Sequence, residues 1–176
     1  DYTHTEGALT FAPGATSRTI SVPILGDRLG ETAETFQVVL LNASGAILVN
    51  GRGDGLIIDD EPTVSINHAY GIDPLTVIEG DSGTKPAVFT VTLSQPYDQE
   101  ITVGYRTVTG HTSDIIGVTG TLRFAPGETT KTITVQVVGD LIDEPLEAFN
   151  VYLENSPTAY ILAVAGYCFI EDNDPS

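Results

Sequence analysis

The apolar residues of this chain fall mostly in short alternating runs. "AVFTVTL" sets Phe89, Val91 and Leu93 on one face, with threonines between them. "TLRFAPGETTKTITVQVV" repeats the device. Leu122 and Phe124 point one way, Pro126-Gly127 turns the chain, and Ile133, Val135 and Val137 resume the pattern. A period of two marks a strand with one buried face, and the Pro-Gly turn between two such runs predicts a hairpin. Further short alternations lie at Val64 and Ile66, at Leu75 and Val77, and in "ITVGYRTV", "FNVYL" and "YILAVAGYCFI". Helical spacing of three and four is sustained nowhere. Seven or eight short strands separated by Gly, Pro, Asp and Asn predict an all-β unit, an immunoglobulin-like antiparallel β-sandwich. The Cys…Trp…Cys arrangement of true immunoglobulins is absent, since the chain has one Cys and no Trp.

The pattern recurs along the chain. Shifted by 113 positions, residues 1–63 fall on 114–176 without a gap, and 24 of the 63 pairs are identical. "GALTFAPGATSRTISV" lies on "GTLRFAPGETTKTITV", and "GDRLGETAETFQVVLLN" on "GDLIDEPLEAFNVYLEN". A fixed period of this kind signals a repeat architecture. Residues 63–176 then make one whole repeat, and 1–62 the rear half of another, with nothing equivalent to 63–113. The half repeat is expected to leave Leu9, Phe11, Ile20, Val22, Val38 and Leu40 on uncovered faces beside bare strand edges. The chain starts at Asp1 without a Met and reads as a processed piece or a fragment. Its first unit is expected to be completed by preceding chain or by strands from a neighbouring molecule.

Composition narrows the partners. There are 24 acids against 7 bases, a net charge of −17. That excludes nucleic acid and anionic membrane surfaces as natural partners. No apolar run approaches the about 18 residues that cross a bilayer, so membrane insertion is not expected. Hydrophobic residues make up 41%, enough for a packed core. The single Cys168 excludes an intrachain disulfide and a Cys-based zinc site; it reads as a small apolar strand residue.

The acids themselves are placed suggestively. Glu79 follows "LTVI", Asp114 precedes "GTLRF", Asp140, Asp143 and Glu144 follow "TITVQVV", and Asp172 and Asp174 follow "YCFI". Loops of a sandwich gather at its two ends. Sharing one end, these carboxylates would raise each other's pKa and destabilise the fold, a conflict that a hard cation removes. Ca²⁺ accepts about six to eight oxygens in irregular geometry, whereas Mg²⁺ demands a stricter octahedron. Zinc and iron favour His and Cys; His4, His68 and His111 lie outside the acidic segments and read as surface residues. The spacing recurs: Asp27 and Glu31 keep the separation of Asp140 and Glu144. The same shift sets Asp1 on Asp114, Asp59 on Asp172 and Asp60 on Asn173.

"FAPGETTKTITVQVVGDLIDEPLEAFNVYLEN", Glu79 within "VIEGDSG" and the closing "IEDNDP" together resemble the Calx-beta domain. The resemblance covers 63–176 and the rear half of the preceding copy. It implies a seven-stranded sandwich binding calcium at one tip. The implied ligands are Glu79, Asp114, Asp140 with Glu144, Asp172 with Asp174, and the backbone carbonyl of Ile142. In the first copy the corresponding set is Asp1, Asp27, Glu31, Asp59 and Asp60, where Gly30 replaces Asp143 and the Glu79 counterpart is missing. Asn173 stands where many relatives carry a third consecutive Asp; it removes one negative charge and is expected to lower affinity or the number of ions.

Such domains serve as the calcium sensor of sodium–calcium exchangers and occur in tandem in bacterial surface proteins. The expectation is therefore a calcium-binding structural or adhesive repeat of a secreted or cell-surface, bacterial-type protein or filament. Calcium would stiffen its joins with adjacent repeats or neighbouring subunits, and a surface or matrix ligand is a further expected partner. Weak sites of about 10⁻⁴–10⁻³ M would fill outside the cell. The alternative is a regulatory calcium sensor of the exchanger type. An enzyme is not expected: G-x-S-x-G, H-E-x-x-H and the P-loop are absent, and the paired carboxylates lack an aromatic platform for glycoside cleavage. Arg52-Gly53-Asp54 spells an integrin-recognition tripeptide, but its repeat equivalent is Ala165-Gly166-Tyr167, so it reads as chance.

Overall fold

The computed structural model describes residues 1–110 and 113–175. His111 lies outside the described residues. Backbone contacts divide the chain into two units. One comprises Asp1–Arg28 and Thr32–Asp59; the other comprises Leu29–Glu31 and the residues from Asp60 onward. Among the described residues no helix is long and apolar enough to cross a membrane.

The first unit holds one antiparallel ladder, between β1 (Glu34–Val39) and β2 (Arg52–Ile57). A single bridge joins Tyr2 to Ile24. The segments "GALTF" and "RTISV", expected as strands, take no ladder here. Their repeat equivalents in the second unit pair with strands drawn from residues 83–109, and 1–62 holds no counterpart of those. A strand needs a neighbour to accept and donate its backbone hydrogen bonds. Leu9, Phe11 and Ile20 are exposed, as the pattern implied, whereas Val22, Val38 and Leu40 are half-buried.

The second unit is a sandwich of two five-stranded sheets. Its strands are β3 (Thr63–Ile66), β4 (Leu75–Ile78), β5 (Gly83–Leu93), β6 (Ile101–Thr109), β7 (Ile115–Ile116), β8 (Thr119–Phe124), β9 (Thr130–Gly139), β10 (Glu147–Glu154), β11 (Tyr160–Ala163) and β12 (Ala165–Glu171). One sheet runs β11-β3-β5-β9-β7 and the other β4-β12-β10-β6-β8. Most pairs are antiparallel, but β11 runs parallel to β3 and β12 parallel to β4. "YILAVAGYCFI", expected as one strand, is two. The chain leaves the first sheet after Ala163 and enters the second at Ala165, with the Val164 carbonyl accepting the Leu153 N–H.

The alternations build the core. Phe89, Val91 and Leu93 of β5, Leu122 and Phe124 of β8, Ile133, Val135 and Val137 of β9, and Phe149, Val151 and Leu153 of β10 are all buried. Each such side chain contributes about 1.5–3 kcal/mol through its removal from water. Phe89 meets Phe149 edge-on, with ring centroids 6.0 Å apart. Pro86 lies inside β5 without breaking the sheet. There β5 pairs with β9 alone, because β3 reaches only Val91, Thr92 and Leu93, so the missing N–H falls on a local edge. The "FAPG" turn forms as expected: Gly127 takes a φ of 82° and donates its N–H to the Tyr97 carbonyl. His68 departs from its surface reading. Its side chain is mostly covered, packed edge-on to Phe89, with Nδ1 2.9 Å from the Asp73 carbonyl. Cys168 is buried in β12, and burial pushes its thiol up to about 12, so it is inert packing.

Candidate metal centre

Four strand ends deliver carboxylates to one end of the second unit. Glu79 follows β4, and its N–H donates to the Glu171 carbonyl at the end of β12. Asp114 precedes β7, its carbonyl accepting the Val138 N–H of β9. Asp140 follows β9, and its Oδ1 accepts the Ile142 N–H at 2.8 Å, a local side-chain-to-backbone turn. Asp172 and Asp174 follow β12, with the Asp174 N–H donating to Oδ1 of Asp172 at 3.1 Å. The loop ends are packed hard together. A Cβ on Gly139 would collide with the Gly80 carbonyl oxygen, so only glycine lets β9 end against the Glu79 loop.

Two carboxylate groups result. Glu79, Asp172 and Asp174 offer oxygens within 4.8 Å of one another, as do Asp114, Glu144 and Glu147. Glu79 and Asp114 are only 2% and 3% exposed, and Glu147 is 8% exposed. Among the described residues, Glu79 Oε1 and Asp174 Oδ2 are enclosed without a hydrogen-bond partner. Such buried acceptors are rare unless something else satisfies them.

The electrostatics agree. Burial, then a hydrogen bond shared with Asp172, then the charges of Glu144, Asp172 and Asp140 push the Glu79 carboxyl up to about 7. Glu147 is raised by burial first, then by its hydrogen bond with Asp114 and the charges of Asp114, Glu144 and Glu79. Burial and the charges of Asp172, Asp81, Asp140 and Asp143 raise Asp174. Asp172 is held below the usual range, chiefly by the Asp174 N–H. An all-oxygen donor set, crowded and partly desolvated, suits a hard divalent cation.

Glu79, Asp114, Glu144, Asp172 and Asp174 thus fall into these two groups, with Asp140 close enough to act on Glu79 and Asp174. The Ile142 side chain is exposed, and its N–H is spent on Asp140. Glu147 was not among the expected ligands. Its signal was present: it shares the inward face of β10 with Phe149, Val151 and Leu153, a position where an acid needs a reason. Asp81 was also missed; it joins the site through Asn173. Of the first-copy candidates, Asp1, Asp27 and Asp59 belong to the first unit, Glu31 and Asp60 to the second. The Asp1 amine lies 3.9 Å from Glu34, the repeat equivalent of Glu147, and the Asp60 carbonyl accepts Gln95 Nε2 at 2.8 Å. Arg52 and Asp54 lie on one face of β2 and are paired, Nη2 to Oδ1, at 3.0 Å.

The sequence pattern of the Calx-beta domain matches residues 1–62 and again 58–165. The chain belongs to the Calx-beta family. It is 27% identical over 157 residues to the adhesion G-protein coupled receptor V1 of Danio rerio, covering 86% of this chain and 2% of the receptor. It is 29% identical over 174 residues to extracellular matrix protein 3 of Lytechinus variegatus, covering 90% and 5%. It is 32% identical over 175 residues to the human sodium/calcium exchanger 2, covering 87% and 18%. The chain therefore spans a small part of each of these relatives. Among solved structures, the apo-form Calx CBD1 domain superposes with a TM-score of 0.56 at 21% identity, over 65% of this chain and all of that one. The Calx CBD2 domain gives 0.54 at 13% identity, over 66% and 91%. Both establish the Calx-beta sandwich as the fold.

Proposed function

We propose that the second unit binds calcium at the end formed by Glu79, Asp114, Asp140, Glu144, Asp172 and Asp174, with the Ile142 carbonyl and the newly recognised Glu147 as further ligands. The observation that carries this reading is the enclosed Oε1 of Glu79, a buried carboxylate oxygen facing other carboxylates with no hydrogen bond. A bound divalent ion supplies the missing partner and neutralises the group. Asp1, Asp27, Glu31, Asp59 and Asp60 are proposed as the equivalent set of the first repeat, which has no Glu79 counterpart within residues 1–62.

In this reading the chain is a non-enzymatic, calcium-binding structural or adhesive repeat of an extracellular or cell-surface protein or filament. Its domain division falls near residue 62, and calcium stiffens the joins between adjacent repeats or neighbouring subunits. The receptor and matrix relatives support that setting. The exchanger relatives favour a second reading, a regulatory calcium sensor.

The first test is thermal. An ion that binds only the folded state stabilises it by about 2.7 kcal/mol at a hundredfold excess over Kd. Chelation is expected to lower the melting temperature, and millimolar calcium to restore it. Asp140→Ala or Glu144→Ala is expected to abolish most of the shift, whereas Asp98→Ala, in the loop at the other end of β5, leaves it intact. Identical melting curves with chelator and with calcium would defeat the reading.

A further inference from the structure

Asn173 interrupts the closing acidic run, and both polar atoms of its side chain are engaged. Its Oδ1 accepts the Gly80 N–H at 2.5 Å. Its Nδ2 donates to Oδ1 of Asp81 at 2.6 Å. One neutral side chain thus ties the loop after β4 to the run after β12, across 92 and 93 positions of sequence. The neighbouring Glu79 N–H bond to the Glu171 carbonyl, at 3.1 Å, continues the same seam. Glu79 precedes the tied residues in one segment; Asp172 and Asp174 flank Asn173 in the other.

The chemistry of the position is selective. A carboxamide offers both a donor and an acceptor, whereas an ionised carboxylate only accepts. An Asp at 173 could keep the Gly80 N–H, but it would set a second negative charge against Asp81. That arrangement closes only when a cation or a proton intervenes. Asn closes it alone.

We infer that Asn173 is a positioning residue, a metal-independent latch that holds Glu79, Asp172 and Asp174 at ligand spacing before any ion arrives. The inference rests on the calcium reading of the site and decides between its two forms. A ligand shifts a conformational equilibrium only through a difference in affinity between the two states. Where the site is already latched, calcium fills it without remodelling it. That behaviour belongs to a spacer rather than to a sensor.

The test is amide hydrogen exchange on the full chain, in chelator and in millimolar calcium, with calcium binding measured separately by calorimetry. Four proteins are compared: wild type, Asn173→Ala, Asn173→Asp, and the double variant Asp81→Asn/Asn173→Asp, which moves the donor to the opposite partner. The wild type is expected to protect the Gly80 and 171–174 amides equally in both conditions. In chelator, both single variants are expected to exchange there roughly 10- to 100-fold faster: Asn173→Ala loses one neutral and one charge-assisted hydrogen bond, and Asn173→Asp loses the bond to Asp81 and sets a like charge against it. Calcium should restore protection in Asn173→Asp, and the double variant should regain it without calcium. Wild-type protection that collapses on chelation, or single variants that keep wild-type protection in chelator, would overturn the latch. Absence of calcium binding by the wild type would overturn the parent reading instead, and the chelator comparison would still judge the latch.

Discussion

A carboxyl group enclosed among other carboxyls can avoid the penalty of its charge by keeping a proton or by sharing a cation. Glu79 illustrates both. Its folded pKa of about 7 lies above the ordinary 4.5, so between these values the folded protein holds a proton that the unfolded chain has lost. Stability then falls as pH rises through that window, because the folded state binds more protons. The contribution is fully present below about 4.5 and gone above about 7. Glu147 is raised in the same direction and adds to the effect. The metal-free protein is therefore expected to melt at a lower temperature near pH 7 than near pH 5, the reverse of a protein whose acids are stabilised by bases. Calcium should remove the decline, since the ion competes with the protons. Melting curves across this window, with and without chelator, check it. Glu79→Gln is expected to flatten the metal-free decline and to weaken calcium binding together; a variant that does only one of these would separate the buried charge from the ligand.

At the scale of elements, the site depends on how closely two strand ends approach. β9 ends at Gly139 directly against the Gly80 carbonyl, with no room for a methyl group. Gly139→Ala is expected to cost about 1–3 kcal/mol, since the obstacle is backbone rather than a side chain that can swing away. It should also reduce calcium affinity, because Asp140 is the next residue. A control in the core, Phe89→Ala, is expected to cost about 3–5 kcal/mol, leaving calcium affinity nearly unchanged in whatever protein remains folded. Denaturant unfolding and calorimetry on the same samples separate the two outcomes.

The elements also show how far the residues alone could lead. The strands β5, β8, β9 and β10 were legible because each buries one face and shows it as strict alternation. The expected acids were legible because they sit at strand ends and recur at one period. Glu147 was not, because its place in β10 reads as part of an acidic turn unless the alternation is carried one step back from Phe149. The switch of sheets at Val164 left no turn signal, since none of Ala163, Val164 and Ala165 is a Gly, Pro, Asn, Asp or Ser. The missing ladders of the first unit follow from absent partners, which propensity cannot report.

At the scale of the whole molecule, the burial is unevenly divided. Among the described residues, every fully buried apolar side chain lies between Pro62 and Ile170. The first unit contributes none to that set, and its regular structure is one two-stranded ladder. An isolated two-stranded ladder is marginally stable at best in water. Residues 60–176 carry two complete sheets, the core and both carboxylate groups. This segment produced alone is therefore expected to keep a single cooperative melting transition, with the midpoint and calcium response of the parent chain. Residues 1–59 alone are expected to show no cooperative transition and rapid exchange at Leu9, Phe11 and Ile20. Circular dichroism melts of the two pieces, with hydrogen exchange on each, test the division. A cooperative transition in 1–59 would show that its ladder recruits a core of its own. A large drop in the midpoint of 60–176 would show that the buried core needs residues 1–59 after all.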